Sequence, residues 1–224
     1  MSSLPGFGRA AIWAGLIALD ITGCGPWMIS QPMVTGAIFG WLMGQVSVGV
    51  LIGGVVQLLW MDVSPVGVGI PFDATSATIL AVYLASLQVA SSISTMMLAL
   101  VIAIPFGFLS RWMDHYARRL NTVIARQLES VQDARLTQAL SLGILAGLLW
   151  SWLRYALFYA LAMFAGQKLW FLLQQLTFPE WLNRGLTLAA YLSPVAGLGV
   201  GLELFLSEEP ERRFQAMRVF KSKG

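Results

Sequence analysis

The sequence is short of the residues that build most soluble active sites. Its 224 residues include one histidine, His115, and one cysteine, Cys24. A single cysteine excludes a disulfide within the chain, and its apolar, glycine-rich setting makes it a small packing residue. His115 lies in a charged stretch four residues before Arg119 and reads as part of a solvated face. No cluster with metal-ligand spacing, no phosphate-cradling loop and no nucleophile with a base at a recognisable spacing occurs. Charge is scarce as well: 11% of residues are charged and 57% are hydrophobic, against roughly 25% and 45–50% in soluble domains. No Asp, Glu, Lys or Arg occurs from Ile21 to Met61, from Ala74 to Ser110, or from Leu136 to Leu153. A helix crossing hydrocarbon ~30 Å thick needs about 20 apolar residues. The first two runs are too long for one span each, so each must turn within or near a membrane.

The net charge of +3 is small, and Arg9 apart, every Lys and Arg lies at or beyond Arg111. No dense basic stripe is interleaved with aromatics, which excludes nucleic acid as a partner. The start, "MSSLPGFGRAAIWAGLIALDITG", lacks a basic leading region and runs into Asp20, unlike a cleavable signal peptide.

What is present is apolar and broken. A first segment, 10–25, contains Asp20, and "GCGPWMISQP" then interrupts any helix. The spacing predicts short helices over 33–44 and 46–60, with glycines at 49, 53 and 54 for close packing. Next comes "SPVGVGIPFDAT", 64–75, whose two prolines and two glycines predict irregular backbone lining a polar site. Helices over 74–89 and 92–110 follow. Around Arg111, Arg118, Arg119, Arg126 and Arg135, the apolar residues Trp112, Tyr116, Leu120, Ile124 and Leu128 recur every four positions, predicting an amphipathic surface helix. A long apolar helix covers 137–165, and an interfacial segment with Trp170 and Trp181 follows it. The last apolar segment, 185–206, contains Pro194 and Glu203. The expected class is an all-α polytopic membrane protein with discontinuous and re-entrant helices. Its parts are an N-terminal membrane half, 1–110, a charged helix, 111–136, a C-terminal membrane half, 137–206, and a charged cytoplasmic tail, 207–224. "SPVGVG" at 64 echoes "SPVAGLGVG" at 193; an inverted repeat and chance both remain open.

Polar residues inside these runs need partners, water or a ligand, because a central Asp or Arg costs roughly 2.5–3.5 kcal/mol on insertion scales. They are Asp20, Gln31, Gln45, Gln57, Asp62, Asp73, Arg154 and Glu203. Carboxylates and carboxamides can each bond neighbouring hydroxyls of a sugar, with Trp27, Trp41 or Trp60 covering the ring. The plainer readings stay beside this one. Asp73 precedes "ATSATIL" and can cap that helix, Asp62 can lie at the interface, Gln57 can make a structural hydrogen bond, and Arg154 and Glu203 can pair with each other or face headgroups.

The run from Gln31 to Ala81, above all "GVLIGGVVQLLW" and "PVGVGIPFDAT", resembles the signature region of the IIC subunit of mannose/fructose/sorbose-type phosphotransferase permeases. "RGLTLAAYLSPVAGLGVGLELF" resembles a later stretch of that family. The resemblance implies a sugar-translocating subunit of the bacterial cytoplasmic (inner) membrane. It implies a IID membrane subunit as partner, an oligomeric assembly, and soluble IIA and IIB proteins that phosphorylate the sugar as it emerges. It also implies no catalytic phosphotransfer residue and no cofactor on this chain, and a sugar site at Asp20, Gln31, Gln57 and Asp73. There are departures: Gln31 and Gln45 stand where basic and acidic residues are frequent, and a charged tail follows 206 where most members carry a further hydrophobic portion. A reduced, non-transporting scaffold that recruits IIA or IIB proteins, and an unrelated secondary transporter, therefore remain alternatives.

Cationic loops are retained on the cytoplasmic side, so 111–135 and the tail from Ser207 should both lie there. Cysteines replacing Ser130 or Ser222 should react only with permeant reagents in whole cells; labelling of either from outside refutes this topology.

Overall fold

In hydrocarbon no water bonds the backbone, so each segment must satisfy its own N–H and C=O groups, and helices result. The computed structural model describes residues 6–22, 25, 27–60, 72–88, 91–128, 136–175 and 179–206, and all regular structure among them is α-helical. The order is α1 (Phe7–Thr22), α2 (Pro32–Leu42), α3 (Val46–Leu59), α4 (Ala74–Ser86), α5 (Ile93–Leu128), α6 (Leu136–Gln174) and α7 (Glu180–Leu206). Segments Ile93–Arg118, Ser141–Gln174 and Glu180–Leu202 are long and apolar enough to cross a membrane. α2, α3 and α4, with 11, 14 and 13 residues, are not; at 1.5 Å per residue they rise only about 16–21 Å. This is the all-α membrane fold with interrupted helices that the proline and glycine spacing predicts.

α2 and α3 form a tight hairpin. Pro32 opens α2, where a missing N–H costs nothing. Gly44 turns the chain at φ +75°. Gly36 and Gly40 on α2 then face Gly49 and Gly53 on α3. A Cβ on Gly40 would sit 2.8 Å from the Gln45 carbonyl oxygen, and one on Gly36, Gly49 or Gly53 would strike a backbone oxygen of the facing helix. Small residues four apart on both helices thus let the backbones meet. Gly54, expected to share this role, faces open space.

α4 is the buried column of the fold, enclosed from Thr75 to Ser86. The Gln45 amide donates to the carbonyls of Ser86 (3.3 Å) and Gln88 (2.9 Å), completing the C-terminal end of α4. At the other end, the Thr75 hydroxyl donates to the Ser30 carbonyl. α2 therefore runs parallel to α4, and α3 runs back. α5 is antiparallel to α4, with Ser91 beside Ala85 and Ser110 beside Asp73. α6 is parallel to it, with Tyr159 beside Ser76 and Gln167 beside Tyr83. α1 packs on α6 where Gly15 lies against Ala156, and α7 lies against α3, with Gly197 at Leu58, and also against α5.

Two elements are longer than their composition suggests. The arginine-bearing stretch from Arg111 continues α5 without a break, with Asp114 and Ala117 buried and Trp112 and Tyr116 exposed. α6 likewise runs on through Trp170, which is 1% exposed and part of the core; Trp181 is 71% exposed. Pro105 and Pro194 sit inside α5 and α7.

Gly49→Ala should destabilise the detergent-solubilised protein by about 1–3 kcal/mol, the usual cost of overpacking, while Gly54→Ala should leave it unchanged. Thermal unfolding of both variants decides; equal midpoints would show that glycine contact does not hold the hairpin.

Candidate functional site

The polar groups gather where α1, α2, α3 and α4 begin or end. Asp20, in the last turn of α1, is 5% exposed. Its Oδ1 accepts the backbone N–H of Trp27 at 3.0 Å and its Oδ2 that of Ser30 at 2.9 Å. Between them Met28 adopts φ +62°, the left-handed region that L side chains disfavour. The Ile29 carbonyl accepts from the Thr35 hydroxyl at 2.6 Å, and the Ser30 carbonyl accepts from Thr75 at 2.5 Å. The turn before α2 is thus fastened to α1, α2 and α4 together.

Gln31 follows that turn at the N-cap of α2, yet its side chain makes no cap hydrogen bond. Instead its Oε1 accepts from Nε2 of Gln57 on α3 at 3.0 Å. Gln57 Oε1 is buried with no hydrogen-bond partner among the described residues. An acceptor left unbonded in such a place costs free energy until a donor arrives.

Asp73 caps α4. Its Oδ1 accepts the Ser76 N–H at 3.1 Å, and its Oδ2 accepts the hydroxyls of Ser76 (2.6 Å) and Ser110 (2.7 Å). The Ser76 proton is therefore committed, so Tyr159, 2.7 Å from Ser76 Oγ, donates to it. One turn along α5 and α6, the Tyr155 hydroxyl donates to the Asp114 carboxylate at 2.8 Å, and Arg154 Nη1 lies 3.0 Å from the same oxygen. Arg154, for which Glu203 was one expected partner, pairs with Asp114 instead; the Glu203 side chain lies outside the described residues.

The four residues nominated from sequence thus occupy one region. Gln31 and Gln57 bond directly, Asp20 holds the turn that ends at Gln31, and Asp73 stands two residues before Thr75, which grips that turn. Both aspartates spend their oxygens on protein donors. Trp27 is exposed beside the turn, whereas Trp41 lies at the far end of α2 from Gln31. Trp60 stacks on Phe72 at 4.5 Å between ring centroids. Asp62 and the stretch 61–71, including most of "SPVGVGIPFDAT", lie outside the described residues.

Sequence reading missed Thr35, Thr75, Ser76, Ser110, Asp114, Tyr155 and Tyr159. Some signals were there: Ser76 stands three residues after a capping aspartate, and Tyr155 and Tyr159 share a face beside an arginine that needed a partner. Among the described residues no group of three or more His, Cys, Asp or Glu could hold a metal ion.

The family described as the PTS system sorbose-specific IIC component matches residues 9–210. A solved structure described only as a membrane protein is 18% identical, with TM-score 0.69, over 96% of this chain and 84% of that one. A cryo-EM structure of the mannose transporter ManYZ in complex with microcin E492 is also 18% identical, with TM-score 0.60 and the same coverages of 96% and 84%. These two likenesses concern the fold. No curated protein matches the chain.

Replacing Asp73 by alanine removes a cap worth about 1 kcal/mol and strands two buried hydroxyls at ~1–3 kcal/mol each. Asp73→Ala should therefore lose about 3 kcal/mol or more of stability, and Asp73→Asn, which keeps an acceptor, clearly less. Unfolding curves of the two variants test this; equal, negligible losses would refute the network.

Proposed function

The chain belongs to the sorbose-specific IIC component family of phosphotransferase systems, and from that premise we propose how its interrupted helices handle a sugar. It is the sugar-translocating membrane subunit of such a permease. The sugar site, in this reading, is built on Gln31 and Gln57, with Asp20 and Asp73 supporting it from behind. The observation that carries the reading is the buried Oε1 of Gln57, unbonded among the described residues, on the carboxamide whose Nε2 bonds Gln31. A sugar hydroxyl both donates and accepts, so it can give its proton to Gln57 Oε1 and take one from the Gln31 amide. Trp27 is exposed at the adjoining turn, where its face can cover an apolar sugar ring.

The assembly follows from the fold's open edges. α2 and α3 expose Met33, Val34, Trp41 and Leu51, and helices this short within a membrane leave backbone ends that protein must cover. A IID-type membrane subunit is the partner that this surface and the family suggest, in an oligomer within the bacterial cytoplasmic membrane. Phosphate then comes from soluble IIA and IIB proteins, and uptake is coupled to phosphorylation on those chains.

Gln57→Leu keeps the volume and removes both amide groups. Calorimetric titration of the purified complex with mannose and with sorbose should show about tenfold weaker binding of whichever sugar the unaltered protein takes, the scale of one to two lost hydrogen bonds. Unchanged affinity in a well-folded variant moves the site elsewhere.

A further inference from the structure

Resting on the sugar-site reading above, we propose that Asp20, Thr35 and Thr75 are positioning residues that jointly present Gln31 to Gln57. Gln31 stands where polar side chains normally fold back onto the first N–H groups of a helix. Here it does not: the Gln31 side chain makes no cap hydrogen bond, and its Oε1 accepts from Gln57 on α3 at 3.0 Å. The direction of the side chain is set by the backbone immediately before it, the turn from Trp27 to Ser30.

That turn has one backbone hydrogen bond of its own, from the Gln31 N–H to the Met28 carbonyl at 3.1 Å, and other polar groups of the turn are held from outside. It contains a left-handed Met28, a conformation that relaxes readily unless neighbours impose it. Four bonds from three different helices impose it. Asp20 of α1 takes the N–H groups of Trp27 and Ser30, Thr35 of α2 donates to Ile29, and Thr75 of α4 donates to Ser30. Thr35 is 0% exposed and Thr75 is 4% exposed, so neither hydroxyl is presented to solvent. All three side chains are satisfied by the turn, and what they determine is where Gln31 meets Gln57.

Thr75→Val preserves shape and removes only the hydroxyl. In the purified complex it should weaken binding of mannose or sorbose, whichever is bound, by roughly three- to tenfold, and Thr75→Ser should restore it. The decisive measurement is the double variant. Once Gln57→Leu has removed the partner of Gln31, adding Thr75→Val should cost clearly less affinity than it does alone. A merely structural threonine would instead give the same loss in both backgrounds, and that result, like normal binding by Thr75→Val, overturns the proposal. Thr35→Val repeats the test at the neighbouring carbonyl should Thr75→Val not fold. Normal sugar binding by Gln57→Leu alone overturns the sugar site and this proposal with it, whereas loss there with additive threonine effects overturns only the positioning role.

Discussion

Everything in this molecule depends on one constraint: backbone interrupted at membrane depth must find its hydrogen bonds inside the protein. α2, α3 and α4 stop short of spanning, and three of their stopping points are answered by particular groups. Gln45 meets the last carbonyls of α4, and Asp73 meets its first N–H groups. Asp20, Thr35 and Thr75 meet the backbone of the turn before α2. The glycines of the α2–α3 hairpin bring two short helices close enough to act as one element. α4 can be buried on every side because the elements around it supply these groups.

The same accounting separates scaffold from site. The carboxylates of Asp20 and Asp73 accept charge-assisted bonds, which are roughly twice as strong as neutral ones, and they are spent on backbone and hydroxyls. What remains between α2 and α3 is a single neutral bond between two carboxamides. A neutral pair is suited to a solute that must bind and then leave: opening it costs about 1 kcal/mol, and a sugar hydroxyl replaces it in kind. Charges placed directly on the sugar would hold it harder and release it more slowly.

The interruptions were readable from sequence because proline and glycine act locally. Pro32, Gly44 and the Gly-rich face of α3 announce short helices whatever surrounds them, and Asp73 before "ATSATIL" announces a cap. The partners were not readable, because serine, threonine and tyrosine are unremarkable in apolar helices until another helix places an acceptor beside them. Arg154 signalled that it needed a carboxylate, but nothing local distinguished Glu203 from Asp114. Asp114 was hidden by its setting, since the charges after Arg111 suggested a surface helix. The first turns of that stretch instead continue α5, where the Asp114 side faces α6 and is buried.

This polar ladder also explains how helices with greasy, interchangeable surfaces keep one register. Lipid supplies no hydrophobic drive for helix association, and rows of Leu, Ala and Met would tolerate a slip. On α5, Ser110 and Asp114 are one turn apart, and on α6 Tyr155 and Tyr159 are one turn apart. In the observed register Ser110 donates to Asp73, and Asp114 sits with Tyr155 and Arg154. Sliding α5 by one turn would bring Asp114 to the place of Ser110, setting two carboxylates against each other in an enclosed space with Arg154 left behind. Breaking a buried pair in this way costs ~3–5 kcal/mol, before the repulsion between Asp73 and Asp114 is counted. The register of α5 therefore follows from the cost of its nearest alternative, and it fixes the position of Asp73, the start of α4 and, through Thr75, the turn that carries Gln31.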